Sequence, residues 1–304
     1  MNTGIERLRA LLEAQTGKRR IAVTGHDRAD VDSAAACVLI QRLLDAWNVP
    51  CVIALSSADK QSRRVMARFG IEMENLLRDT QPDDALILVD HHRTTREGRV
   101  LACVDHHPTD FPPEYPYVRL DSSGACAVMV LRMMQEAGVT VTQEDEKLAV
   151  SALYLDTIAL RSTKVKAQEA AWGRSEAERL GLDIAWLERE GMGLRDMSLP
   201  PQELAMLGKK EYAFGGVRVL STYVQTDEMT PARLAAILAV LRREILTEQA
   251  ALWVYLVHDP VRGCTTEYDL TLDGRVRKTE YGFLASRGKD VMPRVEREMR
   301  KAGE

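Results

Sequence analysis

The chain is poor in the features that would place it outside the ordinary globular enzymes. Its five cysteines (Cys37, Cys51, Cys103, Cys126, Cys264) are odd in number and scattered, with no Cys-x-x-Cys pair. That argues against a disulfide framework and against a zinc–cysteine site, and fits a reducing compartment. There is no basic surplus: the net charge is −4, which gives no general electrostatic case for binding nucleic acid. No apolar run approaches the ~18 residues that a membrane helix needs. The start, Met1-Asn2-Thr3-Gly4, lacks the basic and apolar segments of a signal peptide, so the cytoplasm is the expected compartment. The four tryptophans (Trp47, Trp172, Trp186, Trp253) sit in apolar patterns and read as core, not as platforms for stacking bases.

Histidine is also scarce, and its placement is the strongest signal present. Of six histidines, four fall in two runs, Asp90-His91-His92 and Asp105-His106-His107, each ending a short apolar stretch. A fifth, His26, follows the apolar Ile21–Val23 in the loop His26-Asp27-Arg28-Ala29-Asp30-Val31-Asp32-Ser33. The sixth, His258, stands beside Asp259-Pro260 and reads as a turn residue.

A length of 304 residues suggests one or two domains, and 45% hydrophobic with 28% charged residues is ordinary for a soluble fold. Helical spacing predicts helices over 4–15, 34–44, 62–70, 125–137, 144–154, 167–180 and 184–189. Short apolar runs predict strands over 19–24, 49–55, 85–89 and 100–104. Ser33 is a candidate cap for the second helix. This alternation implies an α/β fold, a mainly parallel sheet with helices on both faces. Ligands of such sheets sit beyond the carboxyl ends of the strands, where His26, Asp30, Asp32, Asp90 and Asp105–His107 would gather. We expect a first domain over 1–190, a breaker-rich linker over 191–201, and a smaller α+β domain over 202–304. In the latter, 202–210 reads as helix, 216–223 as strand, 231–246 as helix and 251–257 as strand. A hairpin around Leu272-Asp273-Gly274 and a last helix from Val291 follow.

Imidazole and carboxylate without thiolate favour manganese, magnesium, cobalt or iron over structural zinc. His26, Asp30 and Asp32 share one loop, and Asp30 and Asp32, two residues apart, suit two ions a few ångströms apart. Asp90 at a strand end is the natural bridge. Two ions ~3.5–4 Å apart can activate water and hold a phosphate oxygen for in-line attack. Single members of the set could be ordinary caps; His91 and His92 stand open between an outer contact and a part in the chemistry. Ser122-Ser123-Gly124 could offer backbone N–H groups to an anion or merely cap a helix. Arg93, Arg96 and Arg99 could meet a phosphate or lie in a solvated loop.

The succession His26-x-x-x-Asp30-x-Asp32, then Val89-Asp90-His91, then Val104-Asp105-His106-His107, then Asp156-Thr157 resembles the four motifs of the DHH phosphoesterase superfamily. Asp30-Val31-Asp32-Ser33, Leu207-Gly208-Lys209-Lys210 and Ala285-Ser286-Arg287-Gly288-Lys289 are similar to segments of its family II pyrophosphatase and exopolyphosphatase branch. The resemblance implies a two-metal phosphohydrolase, with manganese as the first choice of ion and magnesium or cobalt as others. His26, Asp30 and Asp90 would bind one ion, and Asp32, Asp90, His106 and Asp156 the other. Asp105 would orient its neighbouring histidines, and His107 would donate to the phosphate. Lys210, Arg287 and Lys289 would clamp phosphate oxygens. The implied substrate is pyrophosphate or short polyphosphate. The alternatives are a nanoRNase or phosphoadenosine-phosphate type of nucleotide phosphoesterase, or a non-catalytic regulatory member. Nucleic acid would enter only as a short oligonucleotide, and a homodimer is the implied assembly. Three departures stand out: Gly288 occupies a lysine position, Asp90 precedes two histidines instead of one, and no Ser-Pro-Thr run follows Asp156. Fewer clamp charges point to a less charged or larger substrate, whereas the missing Gly-Gly-Gly-His motif counts against the nanoRNase.

Overall fold

The computed structural model describes residues 4–109 and 112–302, so the first residues of the N-terminus, Met1 to Thr3, lie outside the described residues. The chain divides into two compact units. The first takes it to Leu160 and again over Val165–Gly191; the second takes Arg161–Lys164 and the described chain from Met192.

The first unit contains α1 (Gly4–Glu13), β1 (Ile21–Thr24), α2 (Val31–Ala46), β2 (Cys51–Ile53), α3 (Lys60–Ala67), β3 (Ala85–Val89), β4 (Arg99–Asp105), β5 (Tyr117–Leu120), α4 (Cys126–Glu136), α5 (Gln143–Asp156), α6 (Ala167–Arg179) and α7 (Ile184–Met192). Among the described residues its strands form one parallel sheet in the order β2-β1-β3-β4-β5. Every residue of β1 and β3 is buried, as strands covered on both faces require. Truncating one of their large side chains, such as Ile87→Ala, should cost about 2–5 kcal/mol. Helix α2 is buried over its whole first ten residues, the run Ala34-Ala35-Ala36 among them, and packs against α4 and α5. The strand order reverses between β1 and β3, and at such a switch point the loops leaving the two strands diverge and open a crevice.

Strand β5 is the one element of this sheet that the sequence pattern did not predict. It is four residues long and follows Pro112, Pro113 and Pro116, whose turn signal hides it. The expected cap Ser33 is corrected to Asp30, whose side chain accepts from the Ser33 N–H at 3.0 Å. Trp47 is buried as expected, but Trp172 and Trp186 are only half-buried, the latter beneath Arg68 at 4.0 Å.

The second unit contains α8 (Pro201–Ala205), β6 (Lys210–Phe214), β7 (Val217–Gln225), α9 (Pro231–Glu248), β8 (Leu252–Asp259), β9 (Cys264–Thr271), β10 (Val276–Tyr281) and α10 (Met292–Ala302). Its described strands form a mixed sheet, β10-β9-β8-β7-β6, in which only β7 and β8 run parallel, joined through α9. One face packs on α8 and α9 around Leu220, Leu241, Trp253 and Tyr255, and the other around Val254, Leu256, Met292 and Val295. Met197 and Leu199, within the breaker-rich stretch 191–201, pack against the first of these clusters. The helix expected over 202–210 stops at Ala205, and Lys210 opens a strand. Gly208, at φ +58°, turns the chain between them, where an added Cβ would meet the Tyr223 ring at 2.3 Å. Among the described residues no helix is long and apolar enough to cross a membrane.

Candidate metal centre

The carboxyl edge of the first sheet collects residues from five segments. The chain leaves β1 through Gly25, where a Cβ would sit 2.2 Å from Ser33 Oγ, so only glycine lets the loop close on α2. Ser33 Oγ then accepts the His26 N–H at 3.1 Å. His26 Nε2 faces Asp30 Oδ2 at 3.3 Å and Asp90 Oδ2 at 3.5 Å. Asp30 divides its two oxygens: Oδ1 caps α2, and Oδ2 turns to His26.

Asp90 ends β3 with φ +64°, a left-handed conformation that aspartate tolerates better than most residues. That bend aims its carboxylate back over the sheet edge. His106, two residues along from the buried Val104, donates from Nδ1 to the Ser123 carbonyl at 3.0 Å, which fixes Nε2 as the lone-pair nitrogen. This Nε2 lies 3.1 Å from Asp90 Oδ1, 3.7 Å from Asp156 Oδ2 and 3.8 Å from Asp32 Oδ2. His106 Nε2 and Asp90 Oδ1 are both buried and neither makes a hydrogen bond. Two buried acceptors facing each other need something positive between or beside them.

Asp32 has a second occupation. Its oxygens accept the N–H groups of Cys126 and Ala127 at 2.7 and 2.8 Å, satisfying the start of α4, whose own cap residue Ala125 offers no side-chain acceptor. Burial first, and then the neighbouring Asp90 carboxylate, pushes the Asp32 carboxyl well above the usual range. Burial and then Asp30 do the same to Asp90. A cation beside them would hold such groups as anions.

Three overlapping groups thus have their donor atoms close enough to hold an ion: His26, Asp30 and Asp90; Asp32, His106 and Asp156; and Asp90, His106 and His107. Asp90 belongs to two of them, as a bridging ligand would. The donor set is oxygen and imidazole nitrogen, which suits manganese or magnesium. Every expected metal ligand is in one of these groups.

Asp105 points elsewhere. It is fully buried and takes His107 Nδ1 at 2.8 Å on one oxygen and His92 Nδ1 at 2.6 Å on the other. Burial would raise its carboxyl, but these two imidazoles hold it well below the usual carboxylate range. His91 turns back onto its own strand, donating to the Val89 carbonyl at 2.9 Å. Burial lowers it to about 4, so it is neutral near pH 7.

Several sequence readings resolve differently. The N–H of Gly124 does meet an anion, but the anion is the buried Glu169 carboxylate at 2.7 Å, which also accepts the Ser123 hydroxyl at 2.7 Å. Glu169 therefore braces the carbonyl that orients His106, and nothing in the spacing announced it. Arg96 is bound to the Ala54 carbonyl and the Ser56 hydroxyl, while Arg93 and Arg99 are exposed. His258 is no turn residue: it is buried in β8, hydrogen-bonded to Thr265 Oγ1 across the strand pair at 2.9 Å. After Asp156 the residues Ile158, Ala159 and Leu160 all have positive φ, a left-handed turn held by the Thr157 hydroxyl accepting the Leu160 N–H at 3.1 Å.

Within the second unit, Ser286 caps a short turn over Arg287–Val291. Arg287 stacks over the Tyr223 ring at 5.2 Å and donates to the Gly208 carbonyl at 2.5 Å, which brings it beside the segment carrying Lys210. Lys289 Nζ donates to the Lys164 carbonyl at 2.7 Å.

The comparisons with known proteins agree with this geometry. Residues 20–160 match the family model described as the DHH family, N-terminal domain. A protein of Streptococcus agalactiae named probable manganese-dependent inorganic pyrophosphatase is 27% identical over 305 residues, covering 91% of this chain and 97% of its own. A Streptococcus mutans protein of the same name is 27% identical over 223 residues, covering 69% of this chain and 72% of its own. Among solved structures, a Methanococcus jannaschii protein assigned to the family II inorganic pyrophosphatases superposes with a TM-score of 0.75 at 21% identity, covering 91% of this chain and 99% of its own. An exopolyphosphatase-related protein of Bacteroides fragilis gives a TM-score of 0.51 at 11% identity, covering 98% and 97%. These likenesses establish the shared α/β fold. With the ligand groups gathered at one sheet edge and the family model spanning the strands that carry them, residues 20–160 are the N-terminal domain of the DHH family.

Proposed function

We propose that this metal-dependent hydrolase cleaves pyrophosphate or short polyphosphate, with manganese as its ion. The observation that carries the reading is the pair of buried acceptors, Asp90 Oδ1 and His106 Nε2, 3.1 Å apart without a hydrogen bond. His26, Asp30 and Asp90 would hold one divalent ion, and Asp32, Asp90, His106 and Asp156 the second. Ions so held supply Lewis acidity at a phosphoryl oxygen and water that ionises near neutral pH. The names of the streptococcal relatives support both manganese and pyrophosphate.

The chain's own residues supply the rest. Asp105 accepts the His107 Nδ1–H and so orients the ring; protonated on both nitrogens, His107 would donate its Nε2–H to a phosphate oxygen. Arg287 offers a planar fork to a phosphate, while Lys210 and Lys289 offer point charges. The partner is a small phosphorylated compound; cytoplasmic placement and a homodimer belong to the same proposal.

One observation favours a second reading. A Cβ at Gly288 would meet nothing within 4 Å, so the position where the resembled branch carries lysine is open space. That room suits a nucleotide phosphoesterase acting on phosphoadenosine phosphate or a very short oligonucleotide. The deciding experiment measures phosphate release with manganese from pyrophosphate, tripolyphosphate, phosphoadenosine phosphate and a dinucleotide. Release chiefly from the first two is expected. Release only from the nucleotides would replace the first reading with the second, and no release from any of them would overturn both.

A further inference from the structure

The run Asp90-His91-His92 contains a histidine that the metal centre does not use. His92 belongs to none of the ligand groups found among the described residues and donates its Nδ1 proton to Asp105 Oδ2 at 2.6 Å. The other oxygen of that carboxylate accepts both the ring Nδ1–H and the backbone N–H of His107, at 2.8 and 3.1 Å. One fully buried carboxylate therefore carries two imidazoles, one on each oxygen. His92 is itself held, because its carbonyl accepts the Tyr115 hydroxyl at 3.2 Å.

We propose that His92 is a positioning residue for His107, acting through the Asp105 carboxylate. A carboxylate rotates about the Cβ–Cγ bond, and that torsion is broad unless both oxygens are engaged. With His92 on Oδ2, Oδ1 can occupy only the place from which it receives the His107 proton. Remove His92, and Oδ2 is a buried acceptor without a donor. The carboxylate then turns to share itself with whatever N–H remains, and the His107 ring loses its fixed plane and its single tautomer. The His107 ring also stands edge-on against the His106 ring, centroids 4.6 Å apart at 77°, so its orientation is registered against a proposed metal ligand. The inference rests on the reading above in giving His107 a place at the substrate; the His107 tautomer is set by Asp105 with or without substrate.

The test uses the full chain with His92→Ala and His92→Gln, the second keeping an N–H donor of similar reach. Outer partners of metal-site histidines typically contribute about 10–100-fold. With manganese, His92→Ala should lower kcat by that factor, leave KM within about threefold and leave bound manganese at the wild-type level, as expected for a group that orients and does not bind. His92→Gln should recover most of the loss, and free imidazole should restore part of it in His92→Ala. In the metal-free protein at one fixed pH, ¹⁵N resonances of labelled histidine should show His107 as a single Nδ1–H tautomer in wild type and as a mixture in His92→Ala. A His107 pattern unmoved in His92→Ala overturns the proposal, whatever the activity. A raised KM with unchanged kcat also overturns it, since His92 would then be a direct substrate contact. If the wild type releases no phosphate, the functional reading fails, while the resonance pattern still decides this one.

Discussion

The tripeptide Asp-His-His occurs twice in the first unit, and its two copies are used in opposite ways. In Asp90-His91-His92 the aspartate enters the ligand cluster, while the histidines turn to the Val89 carbonyl and to Asp105. In Asp105-His106-His107 the aspartate turns away to hold two imidazoles, and His106 enters the cluster. The residues are identical, so the difference lies in the backbone. Asp90 stands at φ +64°, just past the end of β3, whereas Asp105 is still the last residue of β4. One residue more of regular strand reverses the face to which each side chain points. A motif therefore names the available chemistry, and the strand end decides which atom delivers it.

Paired substitutions can break this comparison. The largest effect is expected for Asp90→Asn, which removes the charge proposed to be shared by the two ions: phosphate release should fall by about a thousandfold or more, beyond the 10–100-fold typical of outer partners. Bound manganese, measured by elemental analysis, should drop below two equivalents. Asp105→Asn should cost only about 10–100-fold and keep its metal. Equal losses of metal in the two variants would mean the copies are not divided as described.

The histidines give a second pair. His106→Gln should lose manganese as Asp90→Asn does, while His91→Gln should stay within about threefold of wild-type activity, because His91 satisfies only a strand carbonyl. A manganese-dependent thermal shift sharpens the point: ligand at a hundred times its dissociation constant should add about 2.7 kcal/mol to the stability of wild type. Asp90→Asn should show little of that gain.

Glu169→Ala tests the brace behind His106. It strands the Ser123 hydroxyl and the Gly124 N–H in a buried place, which should cost about 1–3 kcal/mol in urea unfolding. An unchanged midpoint would show that another group takes over both donors.

The smallest effect is a control outside both triplets. Burial, helped by the neighbouring Asp269 carboxyl, raises Glu267 on β9 to about 7. A carboxyl raised in the folded state holds its proton better there than in the unfolded chain. Its contribution to stability is therefore full below the ordinary 4.5 and is lost as pH rises through about 7. The urea midpoint of the apo protein should fall between pH 5 and pH 8 on this account, and Glu267→Gln should flatten that part of the dependence.

Much of the first unit was legible in the sequence because both of its signals are local. Continuous apolar runs such as Ala85–Val89 mark strands buried on two faces, and histidines or aspartates directly after them must lie at the carboxyl edge. The placement of histidine and aspartate after those runs, with no cysteine among them, pointed to a donor set of oxygen and imidazole nitrogen. What the chain order could not carry was anything that depends on where distant segments meet. The left-handed bend at Asp90, the capping of α4 by Asp32 from 94 residues away, and the brace of Glu169 against Gly124 from 45 residues away are set by tertiary packing. So is the shared carboxylate of Asp105, which gives His92 its place. A hydrogen bond reports on direction and on a distance of about 3 Å, and a sequence encodes neither until the sheet has brought its strand ends together.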